Sequence, residues 1–250
     1  MRARSAGKTH VGMKRSLNED AFLADDDLGL HLVADGMGGH AAGEVASAEA
    51  VSTAYGMVKQ ARSSLQKLGD NPDDAQIRAA LRLMEASIQA ATYMVFTLAE
   101  LDREKSGMGT TITGMLVFGD HAVTAQVGDS RIYQIRDGEA RQITEDHTLI
   151  AWQLREGIIT QEEARRSPHK NVITRAVGNR EYVQVDTNLV QLSPGDRYLL
   201  CSDGLHGYLR TSEIPDIVAQ GRDAAVDAFI ELANSRGGKD NITAIVVEVE

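Results

Sequence analysis

The chain of 250 residues has a single cysteine, Cys201, so it can form no internal disulfide and no cysteine-built zinc site. Cys201 lies in Tyr198-Leu199-Leu200-Cys201, where a small buried hydrophobe is the expectation and a nucleophile is not. There is no excess of positive charge: 36 acidic groups face 26 basic ones, for a formal net charge of −10, which disfavours a nucleic-acid-binding face. No apolar run approaches the ~20 residues of a membrane span. The basic N-terminus lacks the apolar core of a secretory signal, so the expected location is the cytoplasm. Repeats, low-complexity tracts and linkers long enough to split the chain are absent too. What remains is the composition of an ordinary globular protein, 42% apolar and 25% charged, read as one domain over residues 1–250.

The organising stretch is Val33-Ala34-Asp35-Gly36-Met37-Gly38-Gly39-His40. An apolar strand from Leu28 to Val33 leads into a carboxylate and a glycine-rich turn, and a helix is expected from Ala41 to about Ser64. Taken alone, the segment is a turn capped by Asp35. Four further aspartates in comparable strand-end settings argue for more: Asp20, Asp129, Asp203 and Asp240.

Around them the pattern is that of an α+β domain. Short strands are expected over Met1–Thr9 and Asp20–Ala24, on either side of a loop with Gly12, Arg15 and Asn18. Gly69-Asp70-Asn71-Pro72 is a break. Ile77, Leu81, Met84, Ile88, Ala91, Val95 and Leu98 form a helical core stripe. Thr111–Phe118 and Ala122–Val127 read as strands joined by Gly119-Asp120. Arg131–Arg136 and Glu139–Ile143 are joined by Asp137-Gly138, a type I′ hairpin signal. His147 to about Arg166 turns polar and helical. Strands follow near Val183–Leu192 and Arg197–Cys201, helices at Ser212–Ala219 and Asp223–Ser235, and a last strand at Ile242–Val249. Hairpins imply antiparallel sheets, and the paired helices suggest helices outside and sheets inside.

Five carboxylates buried together would repel one another, and a hard divalent cation relieves that repulsion. Oxygen-only donors select Mg²⁺ or Mn²⁺ over zinc. Gly36 could offer its carbonyl where a side chain would clash. Two such ions activate a bridging water and clamp an in-line phosphoryl displacement, and Arg15 offers a planar fork for phosphate oxygens. As an isolated residue Arg15 reads as a surface salt bridge; its place five before Asp20 raises it.

Gly12-x-x-Arg15-x-x-Asn18-Glu19-Asp20, Asp35-Gly36-Met37-Gly38-Gly39, Gly109-Thr110-Thr111, Gly128-Asp129-Ser130-Arg131, Ser202-Asp203-Gly204 and Asp240-Asn241 occur in this order. Together they resemble the protein phosphatase type 2C family, the metal-dependent Ser/Thr phosphatases, in its bacterial branch. The resemblance spans almost the whole chain. It implies a four-layer α-β-β-α sandwich of two antiparallel sheets flanked by helix pairs, with the metals in a cleft at one end. It further implies that Asp20 bridges or contacts both metals, directly or through water. Asp35 and the Gly36 carbonyl bind alongside, Asp203 and Asp240 complete the centre, and the residue at Glu19 takes part through water in some members. Asp129 matches the position that, with Asp203, holds a weaker third metal, although its Gly-Asp-Ser-Arg setting also suits a plain turn. Residues 146–178 resemble a flap beside the cleft, where basic side chains would meet the residues flanking a phosphorylated Ser or Thr. The animal members carry a His where this chain has Met37. His40 is then the nearest candidate acid, set against a capping role, with a metal-bound water as the rival. Expected partners are phosphoproteins, those of a Hanks-type kinase, acted on by a monomer. The alternatives are a catalytically silent binding module of the same fold and another two-metal phosphoesterase such as a nuclease.

Overall fold

A computed structural model describes residues 1–38, 42–65, 72–169 and 172–250. The central turn with Gly39 and His40, most of the Gly69–Pro72 break, and Asn171 within the flap lie outside the described residues. In chain order the strands and helices are β1 (Ala3–His10), β2 (Asp20–Asp25), β3 (Leu30–Met37), α1 (Gly43–Gln60), α2 (Arg62–Leu65) and α3 (Asp74–Leu101). Then come β4 (Gly109–Thr110), β5 (Ile112–Phe118), β6 (His121–Val127), β7 (Arg131–Arg136), β8 (Glu139–Gln142), α4 (Leu149–Arg155) and α5 (Gln161–Arg166). The rest is β9 (Asp186–Gln191), β10 (Arg197–Cys201), α6 (Asp203–His206), α7 (Ile214–Val218), α8 (Arg222–Ser235) and β11 (Ile242–Val249).

Two antiparallel sheets result. One has the order β1-β11-β10-β7-β8, and the other β2-β3-β5-β6-β9 with β4 added beside β3. The central strands β3, β5, β6 and β11 are buried almost without interruption, so each sheet is covered on both faces. Val33, Met115, Ile132, Tyr198, Leu200, Ile245 and Val247 fill the space between the sheets. The outer face of the second sheet packs on α1 and α3 through residues such as Leu32, Ala50, Met84, Ile88 and Val95. The outer face of the first packs on α7 and α8 through Leu199, Val246, Ile217 and Phe229. Cys201 is fully buried in that layer, and burial pushes its thiol up to about 12. The four layers expected from the resemblance are present.

Local signals account for much of this. The α3 stripe is buried at Met84, Ile88, Ala91 and Val95, and Asp73 and Gln76 close its start as a capping box. The Asp137-Gly138 hairpin has φ values of 53° and 78°, as a type I′ turn requires.

Four expectations need correcting. The third strand does not stop at Val33. It runs through Asp35 to Met37, because Gly36 pairs with Thr110 and Met37 with Gly109 across β4. The helix expected from Ala41 to about Ser64 begins at Gly43 and breaks at Ala61. The helical stretch from His147 divides into α4 and α5 around Gly157, whose φ of 68° stops the first helix. Asp203 opens a short helix, α6, that the sequence reading left as a strand end.

Candidate metal centre

The carboxylates gather where the two sheets meet at one end. Asp20 begins β2 and stands directly opposite Asp35 on β3. Asp203 follows β10 and Asp240 precedes β11, and these two strands are neighbours. Asp129 lies between β6 and β7. One sheet thus supplies Asp20 and Asp35, the other supplies Asp203 and Asp240, and Asp129 sits on the connection between them.

Each aspartate is aimed by its neighbours. Asp20 is 9% exposed. Its Oδ2 accepts hydrogen bonds from Ser202 Oγ at 2.8 Å and Thr243 Oγ1 at 2.6 Å. Ser202 Oγ itself accepts the Thr243 N–H at 3.0 Å, so its own hydrogen is free to point at Asp20. Asn18 donates to Thr9 Oγ1 at 2.9 Å, and the Thr9 hydroxyl lies 2.7 Å from that of Thr243, so the chain of donors runs toward Asp20. With Oδ2 engaged twice, Oδ1 is buried with no hydrogen-bond partner. Asp35 is fixed through its backbone: its N–H donates to Thr111 Oγ1 at 3.0 Å, and its carbonyl accepts Thr110 Oγ1 and the Thr111 N–H, both at 2.9 Å.

Two glycines permit the close approach of chains here. A Cβ on Gly36 would meet the Gly43 carbonyl oxygen at 2.1 Å and that of Glu19 at 2.5 Å. A Cβ on Gly204 would meet the Asn241 carbonyl oxygen at 1.8 Å. Neither contact is possible for any side chain, so these positions accept only glycine. Asn241 adds the last stitch, accepting the Glu19 N–H at 2.8 Å and donating to the Val11 and Leu17 carbonyls.

The electrostatics follow from that crowding. Burial, only partly offset by its two hydroxyl donors, pushes Asp20 up to about 7. Burial also raises Asp129 to about 7, with Asp203 and Asp146 adding repulsion. Asp35 is raised well above the ordinary range, first by burial and then by Asp20, Asp203, Asp129 and Asp240. Asp203 is raised by burial and by Asp240, against a hydrogen bond with Asp35 that lowers it. Two carboxyls that share a hydrogen bond must share a proton, unless a cation stands in for it.

Among the described residues, no three acidic, His or Cys side chains stand in an arrangement that could hold a metal ion as they are. The donor set nevertheless fits a hard cation in its chemistry. It consists of crowded carboxylates, of which, among the described residues, Asp240 alone has a bonded cation, Arg15, and it includes one buried oxygen, Asp20 Oδ1, with nothing to bond. A set like this could hold divalent cations through Asp20, Asp35, Asp129, Asp203 and Asp240.

Arg15 is half-exposed, and its Nη2 lies 2.9 Å from Asp240 Oδ2 with Glu19 at 3.9 Å. It reaches the rim of the ring rather than standing apart as a surface pair. Met37 is part of β3, and His40 lies outside the described residues. The sequence reading missed several groups. Thr243 was not singled out, and Ser202 was quoted in its motif without a role, although a hydroxyl on or just after a buried apolar strand is itself a signal. His206 was missed too: one turn after Asp203, its Nε2 lies 3.0 Å from the Asp129 carbonyl, and burial holds its pKa down to about 3. Behind Asp129, Arg131 makes a two-pronged pair with Asp146, with Nε–Oδ1 at 2.9 Å and Nη2–Oδ2 at 2.5 Å.

Comparison with known proteins gives the family. Residues 6–245 match the family described as Protein phosphatase 2C. The serine/threonine phosphatase stp of Listeria welshimeri is 39% identical over 246 residues, which cover 96% of this chain and 94% of that protein. The crystal structure of the Mycobacterium tuberculosis serine/threonine phosphatase PstP/Ppp is 35% identical, with a TM-score of 0.87 and all of both chains covered. A structure of the PstP catalytic domain in complex with two manganese ions is 34% identical, with a TM-score of 0.84 over 100% of this chain and 99% of that one. On sequence and fold together, the chain belongs to the protein phosphatase 2C family.

Proposed function

We propose that this protein is a metal-dependent phosphoprotein phosphatase acting on phosphoserine and phosphothreonine. The observation that carries the proposal is the ring of mutually repelling aspartates with the unbonded Asp20 Oδ1 inside it. Asp20, Asp35 with the Gly36 carbonyl, Asp203 and Asp240 would hold two Mn²⁺ or Mg²⁺ ions, and Asp129 with Asp203 a weaker third. Bound there, the ions supply Lewis acidity and a water nucleophile at neutral pH. The chain's own residues do the rest. Ser202 and Thr243 hold Asp20 in one rotamer, and Thr110 and Thr111 hold the Asp35 backbone. Arg15 stands at the rim, where its fork can exchange Asp240 for two phosphate oxygens. Its replacement by Ala then raises KM for a phosphopeptide, with cation binding by calorimetry unaltered. His40 stays a candidate proton donor to the departing alkoxide. The substrates on this reading are the products of a Ser/Thr protein kinase, of the Hanks type, and a cytoplasmic monomer suffices for the chemistry. No helix among the described residues is long and apolar enough to cross a membrane.

One assay separates this reading from its alternatives. A phosphopeptide and an oligonucleotide are each incubated with the protein, with and without Mn²⁺. Mn²⁺-dependent release of phosphate from the peptide alone is expected. Cleavage of the oligonucleotide would indicate a nuclease, and tight peptide binding without turnover a silent binding module.

A further inference from the structure

The metal-binding end of the cleft does not stop at the aspartates. It continues into a groove of about 700 Å³ that runs from Asp129, Asp203 and Asp240 to the flap. The flap wall is apolar: Ile150, Ala151 and Leu154 come from α4 and Ala164 from α5. Three cations line the same groove, Arg131, Arg165 and Lys239. Arg131 is committed to Asp146. Arg165 on α5 and Lys239, just before Asp240, are both exposed, and neither has an ion-pair partner among the described residues.

That isolation is unusual in this flap. Arg155 pairs with Glu145 and Glu156, Arg166 with Glu162, and Arg175 with Asp186. Of the flap's basic residues among the described ones, Arg165 is the one that lines the groove unpaired. Lys239, which lines the same groove, comes from a different part of the chain, just before β11. An acidic protein that leaves two cations uncompensated beside its reaction centre gains nothing in stability from them. They do provide an attractive site for a carboxylate arriving on a ligand.

We propose that this groove docks the segment beside the phosphorylated residue, and that it selects phosphopeptides with an acidic side chain for Arg165 and Lys239 next to an apolar one for the α4–α5 wall. The inference rests on the phosphatase reading and adds to it a class of substrate. The two charges set preference among peptides, while the aspartate ring sets the chemistry.

The test uses the full chain with Mn²⁺ and two phosphopeptides that differ only in having Glu or Lys beside the phosphoserine and the apolar residue. Both turnover and binding, by fluorescence anisotropy, are measured. The wild type should favour the Glu peptide by about tenfold in kcat/KM, as two partly exposed charge contacts allow. The preference should shrink at about 0.5 M salt, where charges are screened within a few ångströms. Arg165→Glu and Lys239→Glu should each reduce it, and the pair together should reverse it. An aryl phosphate, which carries no flanking residues for Arg165 and Lys239, checks that each variant retains a working centre. Equal treatment of the two peptides by the wild type overturns the proposal, as does a double variant that keeps the preference. A Glu-peptide preference in anisotropy without phosphate release upholds the groove and overturns only the phosphatase reading.

Discussion

Two aspartates flank the five-residue strand β10, Asp196 before it and Asp203 after it, and they are held in opposite ways. Asp196 is 2% exposed, and burial alone would raise it. Hydrogen bonds from Arg136 Nε at 2.7 Å and Nη2 at 2.6 Å, with the Ser193 N–H at 2.9 Å, outweigh that and leave it below the ordinary carboxylate range. Asp203 also lies in a low-dielectric setting, but its neighbours are Asp240 and Asp35, and it is raised. Burial is common to both ends of the strand. The counter-charge decides: Arg136 bonds Asp196 directly, whereas Arg15 and Arg131 act on Asp203 only through space and do not outweigh burial and Asp240. A carboxylate bonded two-pronged by an Arg is neutralised within the fold, whereas one crowded by other carboxylates is the kind of group that a cation from solution would relieve.

The bluntest way to break this contrast is to remove what the Asp203 end awaits. Dialysis against a chelator should abolish phosphopeptide turnover, and Mn²⁺ or Mg²⁺ should restore it. Full activity in excess chelator would put Asp203 on the same footing as Asp196. Next in size is a pair of substitutions with opposite signatures. Asp203→Ala should cost 10²-fold or more in kcat, on the order expected when an ion that makes the nucleophile is lost, with little loss in the melting temperature of the cation-free protein. Asp196→Ala should cost about 2–3 kcal/mol by denaturant titration, the low side for breaking a buried pair because Arg136 remains partly hydrated. The surviving folded Asp196 variant should keep its cation affinity. If the two variants behaved alike, the distinction would fail.

A finer probe is Thr243→Val, which removes one hydroxyl from Asp20 Oδ2 with little change of shape. Divalent-cation affinity by calorimetry should fall about tenfold, and Thr243→Ser should restore it. The smallest effect is a slope with pH. Asp20 and Asp129 stand at about 7 in the folded chain against an ordinary 3.8, so the folded state holds protons that the unfolded state has released. Stability of the cation-free protein therefore decreases as pH rises from about 4 to about 7. The melting-temperature gain from Mn²⁺ should accordingly be a few degrees larger at about pH 7.5 than at about pH 5.5. Asp26 provides the opposite sign. Hydrogen bonds from His31 and Ser5 hold it down to about 2, so its contribution is complete above 3.8 and is lost as pH falls toward 2.

What the sequence made legible was whatever local chemistry determines. The Ile242–Val249 strand, the Asp137-Gly138 hairpin and the core stripe of α3 each carry their signal within a few consecutive residues. The extension of β3 through Asp35 was not legible, because its cause is Thr110, about 75 positions away. The ring of aspartates was found because each has a turn-like neighbour. The hydroxyls that aim Asp20 were not, since nothing in Ser202 or Thr243 alone says which carboxylate the fold brings beside it. In the flap, the Arg166–Glu162 pair is a local i,i+4 spacing, but the partners of Arg155 and Arg175, Glu145 and Asp186, are set by the tertiary fold.

The position of β11 has a consequence for biosynthesis. The final strand does not lie at an edge. It is inserted between β1 and β10, pairing Ala3 with Val249 on one side and Cys201 with Ala244 on the other. It also brings Asp240, Asn241 and Thr243 to the centre. A ribosome-bound chain that has not yet released these residues has a split sheet, an unstitched Val11–Glu19 loop and an incomplete set of carboxylates. The N-terminal strand must wait for a partner made more than two hundred residues later, which makes folding slow and late. On the proposed ligand set, hydrolytic activity is thereby withheld until β11 is in place.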